Sequence, residues 1–272
     1  MIAGGKGANQ AVAAARLSAD VVFVARLGCD LFGENAIQQL RNEGVDTRFI
    51  TRDKVCPSGV ALILVDEAGE NMIAVAPGAN ARLSPSDVES ANDVISLSSV
   101  MILQLEIPVE SVSYAARLGQ EKGLKVILNP APACAGGLPR ELLQHVDILV
   151  PNESETRAIL GLGHDVVVDS SLAPRLLDLG PETVIVTLGM RGALVVSHEG
   201  VWQVSARKVK AVDTTAAGDA FVGALAVAVG SGHEILAAVE FANAAAALSV
   251  TQLGAQSSLP TAKEVADFMN TA

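Results

Sequence analysis

At 272 residues the chain is long enough to bury most of its apolar surface in one large α/β domain, and its net charge of −11 excludes a broad basic surface for nucleic acid. Half of the residues are hydrophobic but only 3% are aromatic, which predicts a core of Val, Leu, Ile and Ala, typical of parallel sheets covered by helices. Cys29, Cys56 and Cys134 are too scattered for a disulfide framework or a zinc site, and no apolar run approaches the ~20 residues of a membrane span, so we expect a soluble, cytoplasmic protein.

Apolar runs alternate with helical patterns along most of the chain. Short apolar runs predict strands at residues 21–27, 100–105, 125–129, 146–150, 183–188 and 193–197. Helical spacing of apolar residues predicts helices at 7–17, 32–43, 109–122, 153–160 and 171–179. Because strands that alternate with helices form βαβ units with right-handed crossovers, we predict an α/β fold with a mainly parallel sheet sandwiched by helices.

Residues 59–76 interrupt this alternation. Two β-rich runs, 59–65 and 72–76, are joined by a polar turn that contains glycine, which predicts a β-hairpin. We expect this hairpin to project as a small lid from an α/β domain formed by residues 1–58 and 77–272. Further along, residues 217–250 are rich in alanine and predict helix, and a last helix is predicted at 262–269.

The sequence DTTAAGD at residues 213–219 is the main candidate site. It follows a β-like run at 209–212 and opens onto a predicted helix at 217–229. Its small side chains leave the backbone N–H groups of a helix N-terminus open to an anion such as phosphate. Asp219 would be well placed to accept a proton from a hydroxyl that attacks this anion. The alternative is an ordinary helix start, with Asp213 or Thr215 as the N-cap.

A glycine-rich motif, GGKGAN at residues 4–9, runs directly into an alanine-rich helix. Its glycines allow a close approach of the backbone to a ligand, and Lys6 and Asn9 offer donors to a hydroxylated molecule. The motif is not a Walker P-loop, because the spacing differs and no Ser or Thr follows the lysine. The alternative is a plain loop in which Asn9 caps the helix.

Further polar residues follow the predicted strands, at the sheet edge where α/β proteins bind ligands. Asn152 and Glu155 could hold a hydrated Mg²⁺ ion, and they also fit a capping box at a helix start. The glycines within residues 187–192 would let a nucleotide approach the backbone, or they form a turn between two strands. Glu106 is expected at the same edge, either as a ligand contact or as a surface residue.

Two signatures therefore occur in order, GGKGAN before an N-terminal helix and DTTAAGD before a later helix. Together with GAN at 78–80, QLE at 104–106, NPAPA at 129–133, PNE at 151–153 and GAQ at 254–256, they give a chain that resembles the ribokinase-type (PfkB) carbohydrate kinases from residue 4 to about residue 260. The resemblance implies ATP-dependent phosphorylation of D-ribose at O5. The alternatives are a PfkB kinase for another sugar or a nucleoside, or a catalytically impaired module that binds nucleotide or sugar.

The resemblance also implies roles for individual residues. Asp219 would be the catalytic base, beside an anion hole formed by Ala216, Ala217 and Gly218. Sugar-contacting positions would be Gly5, Lys6, Gly7, Ala8, Asn9, Glu106 and Asp219. Nucleotide-binding positions would be Asn152, Thr187, Leu188, Gly189, Met190, Arg191, Gly192, Gly218 and Asn243. An activating K⁺ ion would be held by Asp213, Thr215, Ser249, Gln252, Gly254 and Ser258, and Mg²⁺ by Asn152 and Glu155 through water.

One departure from the family pattern concerns the N-terminal side. The resemblance implies that family members carry further residues before the glycine motif, among them a first core strand and two lid strands. Here the motif begins at Gly4, so we expect an N-terminally shortened member whose lid is reduced to the hairpin at 59–76. Such a sheet would expose unpaired backbone groups where the strand is missing. The homodimer that the family forms through its lids would not be expected of this chain.

Overall fold

The structure is a computed structural model that describes residues 4–65, 71–133 and 137–271. Its strands are β1 Ala25–Gly28, β2 Ile50–Asp53, β3 Val60–Val65, β4 Asn71–Ala76, β5 Val100–Leu103, β6 Lys125–Leu128, β7 Ile148–Leu149, β8 Thr183–Thr187, β9 Ala193–Ser197 and β10 Gly200–Val204. Its α-helices are α1 Lys6–Arg16, α2 Leu31–Asn42, α3 Pro85–Glu89, α4 Asn92–Ile95, α5 Val109–Glu121, α6 Arg140–Leu143, α7 Glu153–Ile159, α8 Ala217–Gly230, α9 Ile235–Ser249 and α10 Ala262–Asn270. None of the helices described is long and apolar enough to cross a membrane.

The central sheet has six strands in the order β10-β9-β8-β7-β6-β5. The pairs β5–β6, β6–β7 and β7–β8 are parallel, whereas β9 pairs antiparallel with both β8 and β10. The predicted α/β fold with a mainly parallel sheet between helices is therefore confirmed, with two antiparallel strands added at one edge. The edge strand β10 was missed, because its side chains are only partly buried and give no continuous apolar run.

Alternate residues of the sheet enter two different cores. Ile127, Ile148 and Ile185 face the layer of α8 and α9, while Val126 and Leu128 belong to the core on the α5 side. All five side chains are almost completely buried. Because both faces of the sheet are covered, the central positions of these strands are apolar on both sides, which is why the sequence showed runs instead of alternation.

Some predicted elements differ from those observed. Residues 209–212 are not a strand: the N–H groups of Val212 and Asp213 both donate to the carbonyl of Val250 at the end of α9, at 2.7 and 3.2 Å, so this segment is anchored to a helix and not to a sheet. Residues 171–179 form a 3₁₀ helix at Ala173–Leu179, which has proline in its first turn and ends at Gly180. The strand predicted at 21–27 is regular only from Ala25.

The hairpin within residues 59–76 is present as the antiparallel pair β3–β4, with Val60 opposite Ala76 and Leu62 opposite Ala74. Residues 66–70 of the predicted turn lie outside the described residues, as does Cys134. Val60, Leu62 and Val75 are exposed apolar residues of this pair.

In the described part of the chain, β1 pairs in parallel with β2, a strand that the sequence did not predict, and the two form a separate sheet. Strand β5 forms the edge of the central sheet opposite β10.

Helices α1 and α8 pack unusually close to each other. A Cβ atom placed on Gly223 of α8 would lie 2.6 Å from Cβ of Ala13 and 2.9 Å from the carbonyl oxygen of Gln10, both on α1. Real atoms do not approach so closely, so glycine is required at this crossing. The contact sets the distance between the helix that follows the glycine motif and the helix that follows DTTAAGD.

We therefore expect Gly223→Ala to destabilise the protein by about 1–3 kcal/mol, because the added methyl group forces the two helices apart. Gly163→Ala is the matched control, since a Cβ atom at Gly163 meets no atom within 4 Å. Urea denaturation of both variants measures the difference in free energy of unfolding. Equal stability of the two variants would contradict the close packing of α1 on α8.

Candidate active site

A cleft of about 230 Å³ lies at the carboxyl ends of the parallel strands, where α/β sheets bind ligands. It brings together residues from both signature motifs, residues that follow β6 and β7, and Thr187 at the end of β8. Its walls are formed by Lys6, Asn129, Ala131, Val150, Asn152, Glu155, Thr187, Thr214, Ala216, Ala217, Gly218, Asp219 and Val222. Eight of these residues, Lys6, Asn152, Glu155, Thr187, Ala216, Ala217, Gly218 and Asp219, are among the site residues predicted from the sequence.

Asp219 lies in the first turn of α8 and is only 7% exposed. Its Oδ2 accepts a hydrogen bond from Asn9 Nδ2 at 2.8 Å, and its Oδ1 accepts one from Gln10 Nε2 at 3.0 Å. Burial raises the pKa of this carboxyl above its ordinary value, while the two amide donors and the charge of Lys6 act in the opposite direction. The aspartate is thus an inward-facing, hydrogen-bonded carboxylate that joins α1 to α8.

The N-terminus of α8 is open toward this cleft. Its N-cap is Ala216, which adopts the left-handed conformation with φ of 60° and makes no side-chain cap. The alternative that Asp213 or Thr215 is the N-cap is therefore wrong. Ala216, Ala217 and Gly218 line the cleft, and a Cβ atom on Gly218 would meet no atom within 4 Å, so the first turn of α8 borders open space. A helix N-terminus with that access is suited to an anion.

The glycine motif forms the start of α1. Gly5 has a positive φ of 98°, which favours glycine, and the N–H of Lys6 donates to Oε2 of Glu106 at 2.8 Å. Glu106 follows β5, so its carboxylate connects the end of that strand to the N-terminus of α1. Asn9 does not cap the helix, contrary to the alternative from the sequence: it lies inside α1 and donates to Asp219. Its Oδ1 is buried and has no hydrogen-bond partner among the described residues.

Asn152 and Glu155 form the capping box that their spacing predicts. The N–H of Asn152 donates to Glu155 Oε2, and the N–H of Glu155 donates to Asn152 Oδ1, each at 2.8 Å. Burial raises the pKa of Glu155. Both residues also line the cleft, so the capping role does not remove them from it. Among the residues described, no group of three or more His, Cys, Asp or Glu side chains is arranged to hold a metal ion.

Asp213 ties the DTTAAGD loop to the segment after α9. Its Oδ2 accepts from the N–H of Gly254 and its Oδ1 from the N–H of Thr215, at 2.8 and 2.9 Å. Hydrogen bonds from the Thr215 side chain, and from these two N–H groups, lower the pKa of Asp213. The hydroxyls of Ser249 and Ser258 are bound to the local carbonyls of Ala246 and Ala255.

Several predicted nucleotide contacts lie at the margin of this cleft or outside it. Residues 188–192 connect β8 to β9 through a 3₁₀ turn at Gly189–Arg191, so the turn between two strands is present, and Met190 in it is 94% exposed. The amide of Asn243 donates to the carbonyls of Val204 and Ser205 at 3.3 and 3.4 Å. This side chain connects α9 to the end of β10.

Sequence reasoning missed two amides of the cleft region, Gln10 and Asn129. Gln10 directly follows GGKGAN, and Asn129 directly follows β6 as the first residue of the NPAPA stretch. A polar residue at the carboxyl end of a parallel strand was a usable signal for Asn129. Gln10 gave none, because a glutamine inside a helix is ordinarily a surface residue.

The pKa values of the two aspartates in the DTTAAGD loop should differ from that of an ordinary aspartate in opposite directions. Burial dominates at Asp219 and raises its pKa, whereas hydrogen bonds dominate at Asp213 and lower its pKa. On acidification from neutral pH, Asp219 should therefore bind its proton before Asp213. Carboxyl ¹³C NMR of the ligand-free protein, with signals assigned by Asp219→Asn and Asp213→Asn, measures both; the reverse order would contradict the burial of Asp219.

Comparison with known proteins agrees with the family resemblance seen in the motifs. The profile described as pfkB family carbohydrate kinase matches residues 1–262. A ribokinase of Haemophilus influenzae is 42% identical over 271 residues, covering 98% of this chain and 87% of the relative, and a deoxyribokinase of Salmonella typhi is 38% identical over 268 residues with the same coverage. The structure of Arabidopsis thaliana ribokinase complexed with ribose and ATP has a TM-score of 0.91 at 32% identity, covering 100% of this chain and 88% of that one. The chain belongs to the pfkB family of carbohydrate kinases.

Proposed function

We propose that this protein transfers the γ-phosphoryl group of ATP to O5 of D-ribose in the cytoplasm, with Asp219 as the base. The observation that carries the proposal is a buried carboxylate beside the open N-terminus of α8. A carboxylate in that position repels a phosphate, but it can accept the proton of a hydroxyl that attacks the phosphate. The similarity to proteins named ribokinase, one of them complexed with ribose and ATP, supports this choice of substrates.

In the proposed step, the O5 oxygen attacks the γ-phosphorus while the bond to the bridging oxygen of ADP breaks and ADP keeps that electron pair. The hydroxyl proton passes to Asp219. Negative charge on the transferred group is stabilised by the backbone N–H groups of Ala216, Ala217 and Gly218, which form the anion hole. Lys6 lines the same cleft and adds a positive charge close to Asp219 and Glu155.

We propose that the sugar binds against the start of α1, in contact with Gly5, Lys6, Gly7, Ala8, Asn9 and Glu106. The buried Oδ1 of Asn9, which lacks a partner in the described part of the chain, would accept a hydrogen bond from a sugar hydroxyl. Glu106 keeps lone pairs for sugar hydroxyls besides the one that accepts from Lys6. The β3–β4 hairpin, with exposed Val60 and Leu62, would serve as the lid over this end of the cleft.

We further propose that the nucleotide phosphates lie along Asn152, Thr187 and Gly218. Residues Leu188, Gly189, Met190, Arg191, Gly192 and Asn243 would shape the wall for the rest of the nucleotide. The lack of a cluster of three acids in the described residues fits a Mg²⁺ ion held mainly by phosphate oxygens and water, with Asn152 and Glu155 in contact through water. Bound Mg²⁺ would neutralise charge on the phosphates.

The site that we propose for an activating K⁺ ion is the junction of the DTTAAGD loop with the segment after α9. Hydrogen bonds hold Asp213 in its charged form there and bring it to Gly254. Carboxylate and carbonyl oxygens suit a hard cation. The proposed ligands, several through backbone carbonyls, are Asp213, Thr215, Ser249, Gln252, Gly254 and Ser258. A cation here would add positive charge beside the anion hole.

A second candidate substrate is 2-deoxyribose, because the deoxyribokinase of Salmonella typhi is similar over nearly the whole chain. Other sugars, a nucleoside, or binding without turnover are the remaining alternatives from the sequence. A panel of ribose, 2-deoxyribose, fructose phosphates and nucleosides, assayed with ATP, Mg²⁺ and K⁺, separates these. Turnover of ribose well above the other compounds is the expected result.

Asp219→Asn should lower kcat by about 100- to 10,000-fold, because it removes the proton acceptor while keeping the shape of the side chain. Binding of ATP, measured by calorimetry, should remain within a few-fold of the wild type. Asp267→Asn, an exposed aspartate of α10, is the matched control and should keep full activity. Undiminished turnover in Asp219→Asn would overturn the proposed mechanism.

Replacing K⁺ by tetramethylammonium at constant ionic strength should lower kcat, because a bulky cation cannot approach the oxygens around Asp213. Asp213→Asn should abolish this dependence on K⁺ and lower activity in K⁺ to the level seen without it. Initial rates at a series of K⁺ concentrations measure both effects. Wild-type rates that do not respond to K⁺ would contradict the cation site.

A further inference from the structure

A connected group of buried carboxamides lies behind Asp219. Gln10 is only 1% exposed, and its Nε2 donates both to Asp219 Oδ1 at 3.0 Å and to Asn129 Oδ1 at 3.1 Å. Its Oε1 accepts from Gln104 Nε2 at 2.6 Å. Asn129 Nδ2 in turn donates to the carbonyl of Val150 at 2.9 Å. Every polar atom of the Gln10 side chain is therefore used.

The orientation of these amides is fixed by the two ends of the group. The backbone carbonyl of Val150 can only accept, so Asn129 must turn its NH₂ group toward Val150 and its oxygen toward Gln10. Gln10 must then present NH₂ to Asn129, and the same NH₂ carries the second hydrogen that an ionised Asp219 can accept. A flipped Gln10 would place its oxygen against both acceptors. The group has one favourable arrangement, and in it Gln10 is a donor to the carboxylate.

The contact from Gln104 completes this arrangement. Gln104 follows β5 and reaches Gln10 across the face of α1, where Gly7 leaves room for it: a Cβ atom on Gly7 would lie 3.0 Å from Gln104 Oε1. This packing gives a reason for the glycine in the motif that is independent of any ligand. The side chain of Gln10 is therefore fixed by Gln104 after β5 and by Asn129 after β6, independently of its contact with Asp219.

We propose that Gln10, held by Gln104 and Asn129, is a positioning residue that fixes the carboxylate of Asp219 in the orientation that serves proton transfer. Asn9 engages Oδ2 and Gln10 engages Oδ1, so rotation of the carboxylate about its last bond breaks both hydrogen bonds. Each carboxylate oxygen keeps a further lone pair, and Asp219 also lines the cleft in which a ligand would bind. The inference rests on the proposed function, because it concerns the same base.

The charged groups around Asp219 set the expected pH dependence. Lys6 of α1 lowers the pKa of Asp219, and Glu106 after β5 raises it. Asp219 and Glu155 of α7 interact as like charges. The hydrogen bond from Gln10 lowers the pKa of Asp219 against the effect of burial. Since a base acts only when deprotonated, loss of this donor should move the acid limb of the pH–rate profile to higher pH.

The test variant is Gln10→Met, which keeps the length and the burial of the side chain but removes the donor. We expect kcat to fall by about 10- to 100-fold, the loss that a misplaced catalytic group can cause, while KM for ribose and for ATP stays within about threefold. The acid limb should move to higher pH. Gln104→Met, which leaves the contact to Asp219 but removes its support, should give a smaller change in the same direction.

Ser111→Ala is the control for loss of a buried polar group, because Ser111 is buried in α5, donates to the carbonyl of Leu83 and is not among the residues that line the cleft. It should change stability and leave kcat and the pH profile as they are. If Gln10→Met also changes only stability, Gln10 is merely part of the core and the inference is overturned. Should Gln10→Met not fold, Gln104→Met decides in the same way.

A readout without turnover separates this inference from the proposed function. Carboxyl ¹³C NMR of ligand-free Gln10→Met should show the Asp219 signal titrating at higher pH than in the wild type. An unmoved Asp219 titration together with an unmoved kcat would overturn the positioning role. Full activity of Asp219→Asn would instead overturn the proposed base, whatever Gln10→Met shows.

Discussion

The structure depends on the hydrogen bonds that join the Asp219 carboxylate of α8 to Asn9 and Gln10 of α1. These residues are about 210 positions apart in the chain, and each belongs to or adjoins one of the two signature motifs. The close packing of α1 on α8 at Gly223 makes the contact possible. An unpaired buried donor or acceptor costs about 1–3 kcal/mol, and Asn9 Oδ1 is the polar atom of this cluster that has no partner among the described residues. The residues of the candidate site therefore also hold α1 against α8.

The two aspartates of the DTTAAGD loop differ in their electrostatics, and the difference suits the separate roles that we propose for them. Asp219 is buried in a cleft with Glu155 and Glu106 nearby, and its charged form is disfavoured there. Hydrogen bonds from Thr215 and Gly254 lower the pKa of Asp213, so its carboxyl group remains charged at lower pH. A base with a raised pKa binds a proton more readily, and a carboxylate with a lowered pKa is better suited to hold a cation. The helix N-terminus between them favours an anion.

The parts of the fold that follow from local patterns could be predicted from the sequence. The buried strands β5 to β9 and helices such as α5 and α7 lie within a few residues of their predicted bounds, because apolar spacing and capping residues are local signals. Residues 209–212 could not be assigned in this way, since their apolar side chains suggest a strand while their N–H groups bind the end of α9. Asn9 also had a local interpretation, as the residue that caps the helix after the glycine motif. Only the tertiary structure shows that it and Gln10 reach Asp219, and that contact depends on two distant helices meeting.

The most direct test of this account is a crystal structure of the protein with ribose, ADP, Mg²⁺ and an aluminium fluoride mimic of the transferred group. We expect O5 of ribose to lie within hydrogen-bonding distance of Asp219, whose carboxylate keeps its contacts to Asn9 and Gln10. The mimic should lie against the N–H groups of residues 216–218. A ribose bound with O5 turned away from Asp219, or a mimic bound away from the start of α8, would contradict it.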